Sequence, residues 1–215
     1  MPTSASRNCW KRCLNNLCGE EHPHRLENTM GKVLFGLSVS LDGFIADKND
    51  GVSEVFAWMG SAMEHFFEVA GEQLNKTGAV IMGHRSFDQI DSEQGWVMPD
   101  GTPIPGPVIV LQSQVREPVK KGKTHFHFVT DGIESAIAKA KELAGEKHVA
   151  LHGASSVQQA FSAGLLDEFH MSIAHVLLGE GVRLFDHLGP SPIHLEHIRT
   201  LETPGATHLS FRVMK

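Results

Sequence analysis

Beyond Cys18 the 215-residue sequence contains no cysteine, since Cys9, Cys13 and Cys18 are the only three. The body of the chain is therefore thiol-free. The Cys-x3-Cys-x4-Cys spacing departs from the Cys-x2-Cys pairs of structural zinc sites, even with His22 or His24 as a fourth ligand, so no metal is expected there. Long apolar runs are also missing. No window reaches the roughly 18 apolar residues of a membrane span, and the longest runs are strand-sized, such as Val108-Ile109-Val110-Leu111. Positive charge is not in excess: 19 Lys+Arg stand against 25 Asp+Glu, a formal −6. That balance carries no footprint for a phosphate backbone, and nucleic acid is not an expected partner. Near the N-terminus there is neither an apolar segment of a secretory signal nor the arginine density of a transit peptide, so a cytoplasmic protein is expected. Internal repeats and low-complexity stretches are absent too.

What is present has the composition of an ordinary globular chain, with 41% apolar residues, 20% charged residues and 21 glycines. A chain of this length can bury roughly 70% of its unfolded surface as one domain, enough for an enzyme core. Residues 1–29 are expected to be a disordered, dispensable extension. A strand-like run starts directly after Met30-Gly31-Lys32, and residues 31–215 are expected to form the domain.

Within that domain strands alternate with helices. Lys32 to Leu41 reads as a strand that stops at the turn pair Asp42-Gly43. From Ser61 to Leu74, the stripe Met63, Phe66, Phe67, Ala70 and Leu74 predicts a helix facing the sheet. Ala79-Val80-Ile81-Met82 is a continuous apolar strand buried on both faces and ended by Gly83. A Pro/Gly-rich loop from Met98 to Pro107 leads to strand Val108 to Leu111, and Phe126 to Val129 supplies another. A helix from Gly132 to Ala144 buries Ile133, Ala136, Ile137, Ala140 and Leu143, with Asp131 as N-cap and Gly145 as stop. After strand His148 to Leu151 comes a helix through Ala163, closed by Gly164. Glu168 to Val176, Ile193 to Leu201 and Thr207 to Met214 complete the chain as strands. The expected architecture is α/β, a central twisted mixed sheet with helices on both faces.

Two strand-to-helix junctions could bind an anion, because the N-terminus of a helix offers unpaired N–H groups and the positive end of its dipole. One is Gly83-His84-Arg85-Ser86, with a glycine for close backbone approach, a permanent cation and a hydroxyl. The other is Gly153-Ala154-Ser155-Ser156, which has no bulky side chain. A Rossmann fingerprint is missing: Gly179-Glu180-Gly181 lacks the third glycine and a following helical stripe. The pairs His125-x-His127 and His194-x2-His197 have no carboxylate or cysteine at a metal-site spacing.

The runs Gly36-Leu37-Ser38-Val39-Ser40-Leu41-Asp42-Gly43-Phe44-Ile45-Ala46, Ile81-Met82-Gly83-His84-Arg85-Ser86-Phe87-Asp88, Leu151-His152-Gly153-Ala154-Ser155-Ser156, and Gly164-Leu165-Leu166-Asp167-Glu168 with Leu177-Leu178-Gly179-Glu180-Gly181 resemble the dihydrofolate-reductase-like superfamily. Within it the sequence is most similar to the reductase (C-terminal) domain of the bifunctional riboflavin-biosynthesis deaminase-reductase. The four motifs occur in the family's order over residues 31–215. The resemblance implies a three-layer fold and an NADPH-dependent reductase with the cofactor across the strand ends. It places Ser38 and Ile45 beside the nicotinamide and assigns Gly83, His84, Arg85 and Ser86 to the pyrophosphate and 2′-phosphate. Ser113 becomes a second 2′-phosphate contact, and Gly153, Ala154, Ser155 and Ser156 the pyrophosphate cradle.

Departures accompany the likeness. His84 stands where the family has Arg, His152 where it has a small residue, and His175 where it has Pro. The deaminase zinc signature occurs nowhere in the sequence, so only the reductase step is expected. The helix acid of dihydrofolate reductases would fall near Phe67, with Glu64 and Glu68 out of register. Asp42 is the expected polar anchor for substrate or an ordered water, with Asp-Gly as a plain turn the alternative. Trp96 could stack on a heterocycle or pack on its own loop. The first expected substrate is 5-amino-6-(5-phosphoribosylamino)uracil and the second a pterin. The alternative class is a non-catalytic nucleotide-binding module. A homodimer is expected from the resemblance.

Overall fold

The structure is a computed structural model and describes residues 31–60, 74–90, 92–98 and 101–215. Its centre is a nine-stranded mixed sheet in the order β10-β11-β8-β1-β7-β3-β4-β6-β5. The strands are β1 (Val33–Ser40), β3 (Thr77–Gly83), β4 (Val108–Leu111), β5 (Val119–Lys121), β6 (Thr124–Val129), β7 (His148–His152), β8 (Glu168–Ala174), β10 (Leu195–Thr203) and β11 (Ala206–Val213). Six of them, from β8 through β6, run parallel. Antiparallel β11 and β5 flank that block, and β10 pairs antiparallel with β11 as the outermost strand. A separate two-stranded piece joins β2 (Phe44–Ala46) to β9 (Val182–Arg183). The described helices are α1 (Ser53–Phe56), α2 (His84–Ile90), α3 (Ile133–Ala144) and α4 (Ala154–Ser162).

Both faces of the parallel block are covered, which is why β3 and β4 read as unbroken apolar runs. Ala79, Ile81 and Ile109 pack into one core with Ile133, Ala136, Ile137 and Ala140 of α3 and Val157, Ala160 and Phe161 of α4. Val80, Met82, Val108 and Val110 face the other way, toward Phe87 of α2 and Phe126 of β6. In the first core Phe35 stacks on Phe169 with centroids 5.0 Å apart, and Phe161 meets both edge-on. Aromatic pairs of this kind add about 0.5–1.5 kcal/mol each to the area they bury. The expected helices on both faces of a mixed sheet are present.

Several details differ from the sequence expectation. Gly132, with φ 101°, is the N-cap of α3, and Asp131 instead accepts a hydrogen bond from Ser135 Oγ at 2.7 Å. Leu143 is exposed rather than packed on the sheet. β8 stops at Ala174, and β10 and β11 meet at a turn with Gly205 at φ 85°. β5, whose sequence is Val-Lys-Lys, was not expected as a strand; it is held as an edge by its hairpin with β6. The expected helix from Ser61 lies outside the described residues except at Leu74, and so do residues 1–30. Among the described residues no helix is long and apolar enough to cross a membrane, and no cluster of His, Cys, Asp and Glu could hold a metal ion.

Candidate functional site

The ladder between β1 and β7 ends at Phe35↔Leu151, whereas β1 continues beside β8 to Ser40↔Ala174. β7 turns away at Gly153 into α4, so the last part of β1 loses its neighbour on that side. A crevice at the carboxyl ends of parallel strands is where open α/β sheets bind ligands. Four consecutive strands, β1, β7, β3 and β4, end along it. With neighbouring strands spaced about 4.8 Å, three steps span about 14 Å.

The residues singled out in the sequence come together on this line, in an order that is not their chain order. Ser38 lies at the end of β1 and Ile45 in β2. Gly153 and the start of α4 follow β7. Gly83 and α2, with His84, Arg85 and Ser86, follow β3, and Ser113 lies just beyond β4. The two junctions touch: a Cβ built on Gly153 would stand 3.0 Å from Ser86 Oγ. Gly153 itself has φ 84°, a left-handed conformation suited to glycine, and caps α4 with no side-chain hydrogen bond. A Cβ at Gly83 would meet nothing within 4 Å. Backbone on both sides of the crevice can thus be approached closely.

The side chains are not equivalent. His84, Arg85, Ser113 and Ser155 are exposed, and Ser86 is half-buried. Arg85 Nη2 donates to Asp50 Oδ2 at 2.9 Å, an ion pair open to solvent at both ends. Ser156 is buried, and its hydroxyl donates back to the carbonyls of His152 and Gly153, at 2.8 and 3.0 Å. That hydroxyl fastens the first turn of α4; it is not presented to a ligand. Ala154 is buried as well and offers the crevice only its backbone.

Ser38 is buried, and Trp58 Nε1–H donates to its Oγ at 3.1 Å. Trp58→Phe removes this donor from an apolar setting and is expected to cost about 1–2 kcal/mol of stability in urea unfolding. Nothing in the sequence marks this pair. Trp96 does not pack solely on its own loop, because its ring meets His152 edge-on at 5.0 Å. Burial pushes the His152 imidazole down to about 4, so it is neutral at pH 7.

Asp42 is engaged by the chain itself. Its Oδ1 accepts from Ser40 Oγ at 2.6 Å and from Leu178 N at 3.1 Å, and its Oδ2 from Gly179 N at 2.7 Å. Both oxygens are engaged by the chain, and the residue ties the β1 turn to the 177–181 loop. The Ser40 hydroxyl, followed by the two backbone N–H groups, holds the carboxyl at about 2, below its usual 3.8. A lowered folded-state pKa stabilises above the unfolded value and the benefit fades as the pH falls through the folded one. Wild type is therefore expected to melt above Asp42→Asn at pH 5, with the gap closing between about pH 4 and pH 2 in thermal scans. Lys48 Nζ to Glu180 Oε1, 2.6 Å, ties the 47–51 loop to the same region. Glu64, Phe67 and Glu68 lie outside the described residues.

A family model described as the RibD C-terminal domain matches residues 31–208. The uncharacterized protein YyaP of Bacillus subtilis (strain 168) is 26% identical over 160 residues, covering 72% of this chain and 80% of YyaP. A crystal structure of a Shewanella sp. PV-4 protein named for riboflavin biosynthesis superposes with a TM-score of 0.66 at 22% identity, over 86% of this chain and 99% of that one. Dihydrofolate reductase from Enterococcus faecalis, complexed with NADP(H), superposes with a TM-score of 0.55 at 12% identity, over 86% and 98%. At these identities the structural likenesses establish the fold, which is dihydrofolate-reductase-like.

Proposed function

Because the chain belongs to the RibD C-terminal domain family, we propose that it is a riboflavin-type reductase that takes hydride from NADPH and passes it to a small heterocyclic substrate. The first substrate to try is 5-amino-6-(5-phosphoribosylamino)uracil. One observation supports this most. The positions that the family resemblance assigns to nicotinamide, pyrophosphate and 2′-phosphate lie in that spatial order along four adjacent strand ends, although the chain visits them in another order.

The residues present fit a dinucleotide. Gly83 leaves its path open, Gly153 places only the Ser86 hydroxyl against it, and the uncapped start of α4 offers backbone N–H groups and a positive dipole end to the pyrophosphate. Arg85 supplies the cation for the 2′-phosphate, with Ser113 near. Ser38, fixed by Trp58, and Ile45 form the polar and apolar walls at the nicotinamide end. Bound NADPH supplies the hydride, and the protein supplies position and electrostatics. The engaged carboxylate of Asp42 favours, as the second reading, a nucleotide-binding module without turnover. Loss of NADPH absorbance on adding the phosphoribosylaminouracil separates the two: turnover supports the reductase, and binding without oxidation by any acceptor supports the module.

We also propose a homodimer. Among the described residues β10 is an outer edge strand of the sheet with Leu195 and Ile198 exposed, and a second chain can pair along such an edge. Light scattering is expected to give twice the chain mass, and a monomeric mass would refute the dimer.

A further inference from the structure

The connection from β4 to the outermost strand β5 has to cross the carboxyl end of β6, because these strands lie in the order β4-β6-β5. Residues 112–118 make that crossing. Gln112 N donates to Val129 O at 3.0 Å, and the Gln112 side chain donates to the Gln114 carbonyl, so the segment is anchored where it leaves the sheet. Ser113 and Arg116 both lie on it, at the ligand end of the strands. Arg116 differs from the other cations of that rim. Lys48 is paired with Glu180 and Arg85 with Asp50, and Arg183 lies over Phe44 and donates to the Asp42 carbonyl. Arg116 is exposed, and among the described residues no carboxylate or other acceptor engages it. Its Cζ stands 4.6 Å from the Phe128 ring centroid and 5.2 Å from that of Phe87, within the range of about 6 Å for a cation over a ring face. The rings back the guanidinium plane, while its N–H donors point outward along the edge.

Phe87 also fixes where this charge sits. His84 and Phe87 are one turn apart on α2 and share a face, and a helical side chain leans over the turn that precedes it. Phe87 meets Phe126 and Phe128 of β6 edge-on, so that face looks toward β4 and β6. Arg116 is thus on the β4 and β6 side of the Gly83–Ser86 turn, whereas Arg85 reaches the opposite way, to Asp50 in the loop after β2. We propose that Arg116 is a second fixed cation for the 2′-phosphate of NADPH, closing on it from the Ser113 side, and that it sets the preference for NADPH over NADH. The proposal rests on the reading that the crevice takes NADPH, and the family resemblance gives Arg116 no part in it. A phosphate monoester carries nearly two negative charges and several acceptor oxygens, more than one guanidinium can satisfy. A side chain already stacked on two rings gives up less rotamer freedom on meeting it than a loose surface arginine does.

The test is a titration of the full chain with NADPH and, separately, with NADH. Arg116→Met keeps an unbranched stem against the rings and removes the charge. It is expected to weaken NADPH about tenfold and to leave NADH within about twofold. Arg116→Lys keeps a charge without the forked donors, and about a threefold loss for NADPH alone is expected. Phe128→Leu keeps the arginine but takes away part of its support, with a loss of about threefold that again spares NADH. A purely structural Arg116 would lower both affinities together with the melting temperature. Melting curves identify any variant that fails to fold, and the remaining ones then carry the same comparison. Equal losses for the two dinucleotides, or unchanged NADPH affinity in folded Arg116→Met, would overturn the proposal alone. Failure of wild type to bind NADPH would instead overturn the reductase reading.

Discussion

Replacing Gly153 by valine is expected to abolish NADPH binding. The residue has φ 84° and ψ 152°, a region closed to β-branched side chains. Forcing it there costs about 1–3 kcal/mol, a visible fraction of the roughly 5–15 kcal/mol that holds a domain together. The new Cβ stands 3.0 Å from Ser86 Oγ, which can give way, but the two methyls beyond it enter the channel between the two junctions. Hydrogen bonds from backbone N–H to a charged phosphate are worth about 1.5–3 kcal/mol each. Losing even two of them weakens binding by more than about 100-fold. Gly153→Ala should be milder on both counts. Energy transfer from tryptophan to the reduced nicotinamide reads the binding, and a melting curve on the same sample separates a blocked cradle from an unfolded protein.

Arg85→Ala is expected to weaken NADPH by about 10- to 100-fold and NADH by less than about threefold, since one charge-assisted pair to a phosphate is removed. The effect depends on what Arg85 now holds. Its ion pair with Asp50 is exposed at both ends, 72% and 42%, and such pairs are worth about 0–1 kcal/mol. A 2′-phosphate with nearly two charges can displace that carboxylate at small cost. Asp50→Asn should therefore raise NADPH affinity slightly, the opposite sign to Arg85→Ala. Parallel titrations of both variants with both dinucleotides check it. Equal losses for NADPH and NADH on Arg85→Ala would remove the residue from the 2′-phosphate subsite.

Local pattern carried most of the fold. The apolar runs of β3 and β4, the stripe of α3 and the glycine stops at Gly145 and Gly164 are properties of neighbouring residues, and they appear where the sequence puts them. Choices within a residue or two went otherwise, as with Gly132 taking the cap position from Asp131, because a left-handed φ turns the chain before any side chain can bond. The site was legible in its parts and silent on their assembly. Gly83 and Gly153 could each be named as an anion turn, but their contact exists only because β7 inserts between β1 and β3. The partners of Asp42 were hidden for a similar reason: they include the backbone N–H groups of Leu178 and Gly179, which every sequence contains and none advertises. The ties from Trp58 to Ser38 and from Asp50 to Arg85 likewise join segments with no shared pattern.

The most direct measurement is a titration of the purified wild-type protein with NADPH and then NADH, following quenching of Trp96 and energy transfer to the nicotinamide. Trp96 packs against His152 at the end of β7, beside the crevice, and is placed to report. Saturable binding that favours NADPH, and that is lost in Gly153→Val, is the predicted result. Absence of binding by either dinucleotide would contradict the account, leaving the aligned strand ends without their ligand.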